Sequence, residues 1–481
     1  MESSISQSSR DQASQIGNGP SDPLAYELPV NDDQADVQPI DFPTILFLDP
    51  GLLQHGQVEI SQITTPVPAH ILHLLGDLDE IRRTAATFFG CIHSWMPFVS
   101  KKRFYELHLR PSFKFRPDIA LLLLSFKLVT TLPPKRPRNP RSPLYHAAKH
   151  FYLEVEGSSA FSVPVLQAGV LLCLYELGHA IYPSAFLSIG ACARYAHALG
   201  IDGGKTAETR KVLTLVEVEE RRRIWWAIVI LDRFITIGCQ GRPLSTADPK
   251  LDDLLPAEDG AWDQGVCHYA PPGSSPYAYE YFRLSGPMSP SHYLRPCMTT
   301  DHMSKFALLC QAARLLGQVL HAICSDSAVD DDNWMQLDRT LQSMLAASLN
   351  VDVPDNDQIT FIYSALVALH TSWIHPSGGV VPDTNRTQHS KDVVQQITEK
   401  ISVNLVENQC FFSRNLENMP PWGVFFAYRI CVAHLLSGRE TPKSSAVVKK
   451  MRETLLETDA RWNAAGAYLQ LLEAQEIINK F

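Results

Sequence analysis

The chain has 481 residues, a net charge of −9 and a hydrophobic share of 45%. That length is above the roughly 250–300 residues at which a single core usually stops growing, so one large unit or two packed subdomains are expected. The negative balance excludes nucleic-acid binding by bulk electrostatics and leaves any DNA contact to a local basic patch or a separate module.

Residues 1–66 begin as Ser, Gln, Asp, Gly and Pro with scattered aliphatics. Such a stretch buries too little apolar surface to order itself and is expected to be a disordered acidic leader. Met1-Glu2-Ser3-Ser4 lacks the basic and apolar regions of a signal peptide. Apolar runs such as Ile119–Leu124 and Val170–Leu174 are too short for a membrane span, so no membrane partner is expected and the chain reads as intracellular. The ordered domain is expected over 67–481. Ten cysteines, at 91, 173, 192, 239, 267, 297, 310, 324, 410 and 431, show no Cys-x-x-Cys step. They read as buried free thiols in a reducing compartment.

Helical spacing starts with Ile71, Leu74, Leu75 and Leu78, followed by a helix from Asp79 to about Cys91. The next helix opens at Lys101–Arg103 and carries Phe104 and Leu107. Pro117-Asp118 then starts one with Ile119–Val129 as its buried body. Between Thr131 and Pro143, Lys135, Arg136, Arg138 and Arg141 interleave with prolines. This basic run reads either as a nuclear-import loop or as a plain exposed loop. On the helix Tyr145–Glu156, His146, His150 and Glu154 have metal-compatible spacing, but a solvated face is the simpler reading and no metal is expected. Val163–Leu177 is an apolar helix with Pro164 in its first turn. Pro183 opens another, with Phe186, Ile189, Ala193 and Ala196 on one face, closed by Leu199-Gly200. Gly190 and Ala193 are small enough for a neighbouring helix to come close.

The stretch from Val216 to Pro243 organises the rest. Glu217 and Glu219 stand four residues before Arg221 and Arg223, the favourable order for helical ion pairs. The body that follows is apolar nearly all round, so this helix is expected to be buried. Trp225 and Trp226 point about 100° apart and must touch different neighbours. Arg222 lies one turn before Trp226 and could cover its ring. Asp232 and Arg233 both need partners if buried, and Arg222 and Arg242 are the candidates for Asp232. Arg222, Trp225, Trp226, Asp232 and Arg242 are all expected to form core. Gly238, Gly241 and Pro243 stop the helix. Beyond it, Leu251, Leu254, Leu255 and Pro256 form an apolar extended tail, and 257–300 reads as a long surface loop. Helices return at Met303–Ser325, Trp334–Leu349, Asp357–Trp373, Ser390–Asn408, after Pro420-Pro421, at Ser444–Thr458 and at Trp462–Ile478. No strand alternation recurs, so the expected fold is an all-α, multi-helix domain.

These residues resemble a known family. Ala185–Asp202 is similar to the "G-x-A-x-R-x-A-x-x-L-G-L" helix of the fungal-specific transcription factor domain, the regulatory middle region of fungal zinc binuclear cluster activators. Glu219, Arg222, Trp225, Trp226, Asp232, Gly241, Arg242 and Pro243 fit its "E-x-R-R-R-x-W-W…D-R…G-R-P" pattern, inside a signature core of 163–256. His93–Pro97 and Arg461–Leu469 resemble its early and closing segments. The resemblance implies a nuclear transcriptional regulator without catalysis, acting on metabolic or secondary-metabolite genes. It also implies a dimer, with itself or with a zinc-cluster factor, and a small-molecule effector. The six cysteines that open such proteins and hold two zinc ions have no counterpart here, since the first cysteine is Cys91. The resemblance therefore implies that DNA is reached indirectly, or that a cluster lies upstream of Met1; zinc is expected only in the second case, and no other cofactor. The rival reading is an α-helical enzyme such as an isoprenoid cyclase. It would need an Asp-Asp-x-x-Asp metal motif, and neither Asp252-Asp253 nor Asp330–Asp332 supplies the third carboxylate at the right step.

Overall fold

The computed structural model describes residues 66–109, 116–133, 139–158, 161–202, 214–238, 241–250, 253–265, 303–324, 331–351, 354–374, 384–406, 416–437 and 442–478. The expected leader, most of the basic loop and most of 257–300 lie outside them. The described residues hold sixteen α-helices and no β-strand, the all-α class that the periodicity predicts. Local chemistry explains the starts. Asp77 accepts from the Glu80 amide at 2.8 Å and caps α2 (Leu78–Cys91), which follows α1 (Ala69–Leu75). Ser100 caps α3 (Lys101–His108). Proline sits in the first turn of α4 (Pro117–Thr130), α5 (Pro143–Gly157) and α6 (Val163–Gly178). After α7 (Ser184–Ala198), Gly200 takes φ 67°, the left-handed conformation that glycine adopts without a Cβ clash.

Burial follows apolarity. α4 and α6 are apolar around most of their circumference and are buried around it. α4 lies between α2 and α6, and α6 packs on α7. The long α8 (Leu215–Gly238) rests on α6 and α7 on one side and on α10 (Lys305–Cys324) on the other. The short α9 (Asp259–Asp263) sits between them in sequence. Beyond α10, α12 (Asn356–Ile374) contacts α11 (Asp331–Leu349), α13 (Thr384–Val406) and α14 (Trp422–Ser437). α15 (Pro442–Thr458) and α16 (Ala464–Ile478) close on α14. One contiguous apolar core runs from Ile71 to Leu472, with α8 as the seam between its two halves.

On α3, which is short, Phe104 faces inward and Leu107 is exposed. Two expectations are corrected here. Cys324 is exposed at the end of α10 and Cys91 is half-buried, whereas Cys173, Cys192, Cys310 and Cys431 are buried thiols. One described helix, α10, is after all long and apolar enough to cross a membrane; it is mostly buried, against α8 and α12. His146, His150 and Glu154 are exposed, on a solvated helix face.

The end of α6 shows how tightly the halves meet. A Cβ on Gly178 would lie 2.2 Å from the Trp462 ring, which is itself fully buried, so only glycine fits. The Trp462 indole donates to the Met419 carbonyl at 2.8 Å. Next to it, His179 Nδ1 lies 2.7 Å from Asn463 Oδ1. Burial, reinforced by the nearby Arg461 charge, holds the His179 ring neutral and lowers its pKa from 6.5 to about 3.

Two outcomes are expected. Gly178→Ala should cost on the order of 1–3 kcal/mol by overpacking, read from urea unfolding; unchanged stability would show that the Trp462 ring can yield. Between pH 6.5 and about 3 the folded chain binds fewer protons at His179 than the unfolded chain does. Stability should therefore be highest above pH 6.5 and fall as pH drops through that window. His179→Gln should flatten part of this slope, and an identical slope in the variant would contradict the assignment.

Candidate functional site

After α8 the chain turns at Gly241 (φ 81°) and runs back along the helix as a strap, whose described residues 244–250 and 253–258 belong to no helix. The backbone groups of a strap laid on a buried helix must find partners, and side chains of α8 supply them. Two clusters do this.

The first is built on Asp232 and Arg233, both fully buried. Asp232 accepts from the amides of Ser245 (3.0 Å) and Thr246 (2.8 Å) and from the Thr246 hydroxyl (2.7 Å). Arg233 pairs with Asp232 at 3.2 Å. It also donates to the Thr246 hydroxyl, to the Ala247 carbonyl at 2.9 Å and to the Asp248 carboxylate at 2.9 Å. A Cβ on Gly190 of α7 would lie 3.4 Å from the Ser245 hydroxyl, so the close neighbour there is the strap, in place of the helix expected.

The second is built on Glu219 and Arg223. Arg223 donates to Glu219 (2.9 Å), to the Pro97 carbonyl (3.1 Å), to Asp259 (2.9 Å) and to the Ala257 carbonyl (2.8 Å). Its guanidinium stacks 4.8 Å from the centre of the Trp262 ring and 5.6 Å from that of Phe306. Glu219 accepts from the Ala257 amide at 2.8 Å and also pairs with Arg222. The Trp226 indole donates to the Leu254 carbonyl at 3.0 Å, while Trp225 packs beside His197 of α7. The two tryptophans thus face different neighbours, as their angular separation requires. Glu220 accepts from the Ser100 amide and from Gln167 and pairs with Arg103, which ties the start of α3 to α8.

The signature residues therefore divide. Glu219, Arg222, Trp225, Trp226 and Asp232 are buried. Gly241, Arg242 and Pro243 are exposed, which corrects the expectation that Arg242 forms core. The turn that reverses the chain lies outside the body, and Arg242 there covers the Phe186 ring at 5.3 Å. The partners of Asp232 are Arg233, Ser245 and Thr246, in place of Arg222 and Arg242. Sequence reasoning missed Trp262, fully buried on α9 inside a stretch that reads as loop. A tryptophan within a Gly- and Asp-rich run was the available signal. Arg141 is exposed, and Lys135, Arg136 and Arg138 lie outside the described residues.

The Arg223 cluster borders a cavity of about 340 Å³. Pro97 and Asp259, both held by Arg223, form part of its wall, together with Trp95 and the starts of α10 and α12. Asp355 caps α12, accepting from the Gln358 amide at 2.8 Å, and Asp357 follows in its first turn. Burial, and then mutual repulsion, raises the pKa of Asp357; burial likewise raises that of Asp355, while Lys305 opposes both shifts. Among the described residues no group of three or more His, Cys, Asp or Glu is placed to hold a metal ion. Of the two carboxylate runs weighed for an enzyme, Asp252 and Asp330 lie outside the described residues, and Asp253 accepts from the Lys250 amide at 2.8 Å.

The model of the fungal specific transcription factor domain matches residues 85–270, which contain α8 and the whole strap. Transcription factor BOA15 of Botryotinia fuckeliana is 40% identical over 156 residues, covering 32% of this chain and 85% of that protein. Transcription factor tazR of Aspergillus terreus is 24% identical over 37% of this chain and 28% of its own length. The pigment biosynthesis transcriptional activator pigB of Monascus ruber is 26% identical over 37% of this chain and 34% of its own length. The chain thus spans most of the first relative and about a third or less of the other two. No solved structure matches.

Removing Arg233 should cost about 3–5 kcal/mol, because Asp232 is left buried without its counter-charge. A double-mutant cycle should give coupling of at least roughly 0.5 kcal/mol for Asp232 with Thr246 and none for Asp232 with Arg242. Coupling to Arg242 alone would overturn the assignment of partners.

Proposed function

The chain belongs to the fungal specific transcription factor domain family and is a fungal transcriptional regulator; on that premise we propose that it works in the nucleus as an effector-responsive regulatory module that reaches DNA through another module. The supporting observation is that the residues matched by the family include both side-chain clusters and the strap, and that the Arg223 cluster ends at a cavity of metabolite size. The family and the relatives point to a regulator that is not an enzyme. The net charge of −9 disfavours direct DNA contact by the whole surface. DNA reading is assigned to a partner, either a zinc-cluster factor or a second chain that carries the reader, or to a cluster encoded with this domain. The similarity to pigB, a pigment biosynthesis transcriptional activator, supports secondary-metabolite genes as the target. Arg141 is the exposed end of the basic run proposed to carry import.

The test joins two assays of the 481-residue chain. Purified, it should show no sequence-specific retention of promoter DNA at physiological salt. Tethered to a reporter promoter by a heterologous DNA-binding domain, it should change transcription. Tight specific binding by the chain alone would overturn the indirect route, and a silent tethered chain would overturn the regulatory role.

A further inference from the structure

We propose that the exposed face shared by α2 and α3 is a docking surface for an acidic, apolar segment of this chain's own leader, residues 40–53. The contact holds that segment back from other proteins until a competitor displaces it. The inference goes beyond the regulatory reading above and does not depend on the cavity.

Charge is the first observation. Residues 81–116 carry eight Lys or Arg and a single acidic residue, Glu106, in a chain whose net charge is −9. Arg103 is spent on Glu217 and Glu220, and Arg116 on Asp118. Arg82 is shared with the exposed Asp79 at 3.2 Å. Arg83, Lys101 and Lys102 are exposed, and no described carboxylate ion-pairs with them. Asp263 feels the Lys101 charge but is taken by His93 at 2.8 Å. Two lysines and no acid stand in the first turn of α3, where the helix dipole favours the opposite charge. The stability of α3 itself does not account for them, whereas a negatively charged partner does.

An apolar strip accompanies these charges. The Phe89 and Tyr105 rings meet across the two helices at 5.5 Å, and Tyr105 is 37% exposed. Beside them on α2, Ala86 and Gly90 are exposed and small, and a Cβ on Gly90 would meet nothing within 4 Å. Arg82 stands two turns before Phe89, and Lys101 and Lys102 one turn before Tyr105, so both helices bring cations to the strip.

The leader, which lies outside the described residues, supplies the complement. Residues 1–65 hold ten Asp or Glu and one basic residue, Arg10. Both of its phenylalanines fall in 40–53, where Asp41 and Asp49 bracket Phe42, Ile45, Leu46, Phe47 and Leu48. Acidic residues among aromatics and aliphatics are the composition by which chain segments recruit partner proteins. The leader enters the domain at Pro66, just before α1. The tether from residue 53 to Pro66 can extend to about 45 Å. Laid end to end, α1 and α2 are about 32 Å long, so the segment reaches any point of α2. Such a tether gives a local concentration on the order of 1 mM, enough for a weak contact to form within one chain. A nucleic acid is disfavoured on the same face, because the attached acidic leader competes with it.

The experiment uses the purified full chain, as an equal mixture of isotopically light and heavy copies, and a zero-length carbodiimide that joins carboxylates to lysines. Joined peptides are mapped by mass spectrometry, and amide hydrogen exchange is followed over residues 40–53. The expected result is Asp41 or Asp49 joined to Lys101 or Lys102 within one copy. Exchange over Ile45–Leu48 should be slowed at least about threefold below the unprotected rate. The variant Lys101→Glu/Lys102→Glu, whose new acids suit the first turn of α3, should keep full helicity and lose that protection. Adding Asp41→Lys and Asp49→Lys to it should restore both the protection and the links, which a purely structural role of the lysines would not do. An unprotected segment in the wild type, or protection unchanged in Lys101→Glu/Lys102→Glu, would overturn the proposal. Links found only between light and heavy copies would place the segment on a second chain and overturn the assignment of the occupant. Suppose a nonspecific DNA duplex binds the wild type but not the lysine variant, while residues 40–53 stay unprotected. The face would then belong to nucleic acid, and the proposal would fall.

Discussion

The structure depends on one arginine placed where an arginine is costly. Arg223 is fully buried on the central helix and donates to Glu219 one turn earlier on that helix and to Pro97, Ala257 and Asp259 elsewhere in the chain. Taking a guanidinium out of water costs several kcal/mol, and only good geometry and full hydrogen bonding offset that. Here both are met, with two aromatic rings enclosing the guanidinium besides. A hydrophobic residue of the same volume could fill the space. It could not hold the Pro97 and Ala257 carbonyls, which have no secondary structure to satisfy them.

That is the general logic of α8. A helix at the seam of a large core would ordinarily be apolar throughout. This one carries Glu219, Glu220, Arg221, Arg222, Arg223, Asp232 and Arg233 among its buried residues. Glu219, Glu220, Arg223, Asp232 and Arg233 occur where the returning strap, the Pro97 segment or the start of α3 presents unpaired backbone. Asp232 takes amides, Arg233 takes carbonyls, and Glu219 with Arg223 repeats the division about three turns earlier. The apolar residues between these clusters pack against α6, α7 and α10. Charge and apolarity thus alternate along the helix with what each turn faces, and the strap is pinned at both ends. The same contacts shape the cavity, because Pro97 and Asp259 belong to both.

Helix positions were legible because proline, serine and aspartate caps stand just before apolar runs of period 3.6, as at Ser142-Pro143 and Arg116-Pro117-Asp118. The buried state of Trp225 and Trp226 was legible for the same reason. Partner identity was not. Asp232 has Arg233 beside it and Arg222 and Arg242 within reach of a guess, and only the path of the strap shows that Ser245 and Thr246 complete it. Arg242 misleads because a signature position reads as core, whereas it belongs to the turn that takes the chain out of the core. The cavity was illegible, since its walls come from residues near 95, 259, 305 and 355. No local pattern joins those positions.

The central claim is that the strap is held as firmly as the helix beneath it. Amide hydrogen exchange at Ser245, Thr246 and Ala257 tests it most directly, because each of those amides donates to a buried carboxylate of α8. The account predicts exchange as slow as that of the Ile228–Ile235 amides, released only with global unfolding. Exchange at the rate of an exposed loop, with α8 still protected, would mean that the buried charges do not hold the strap.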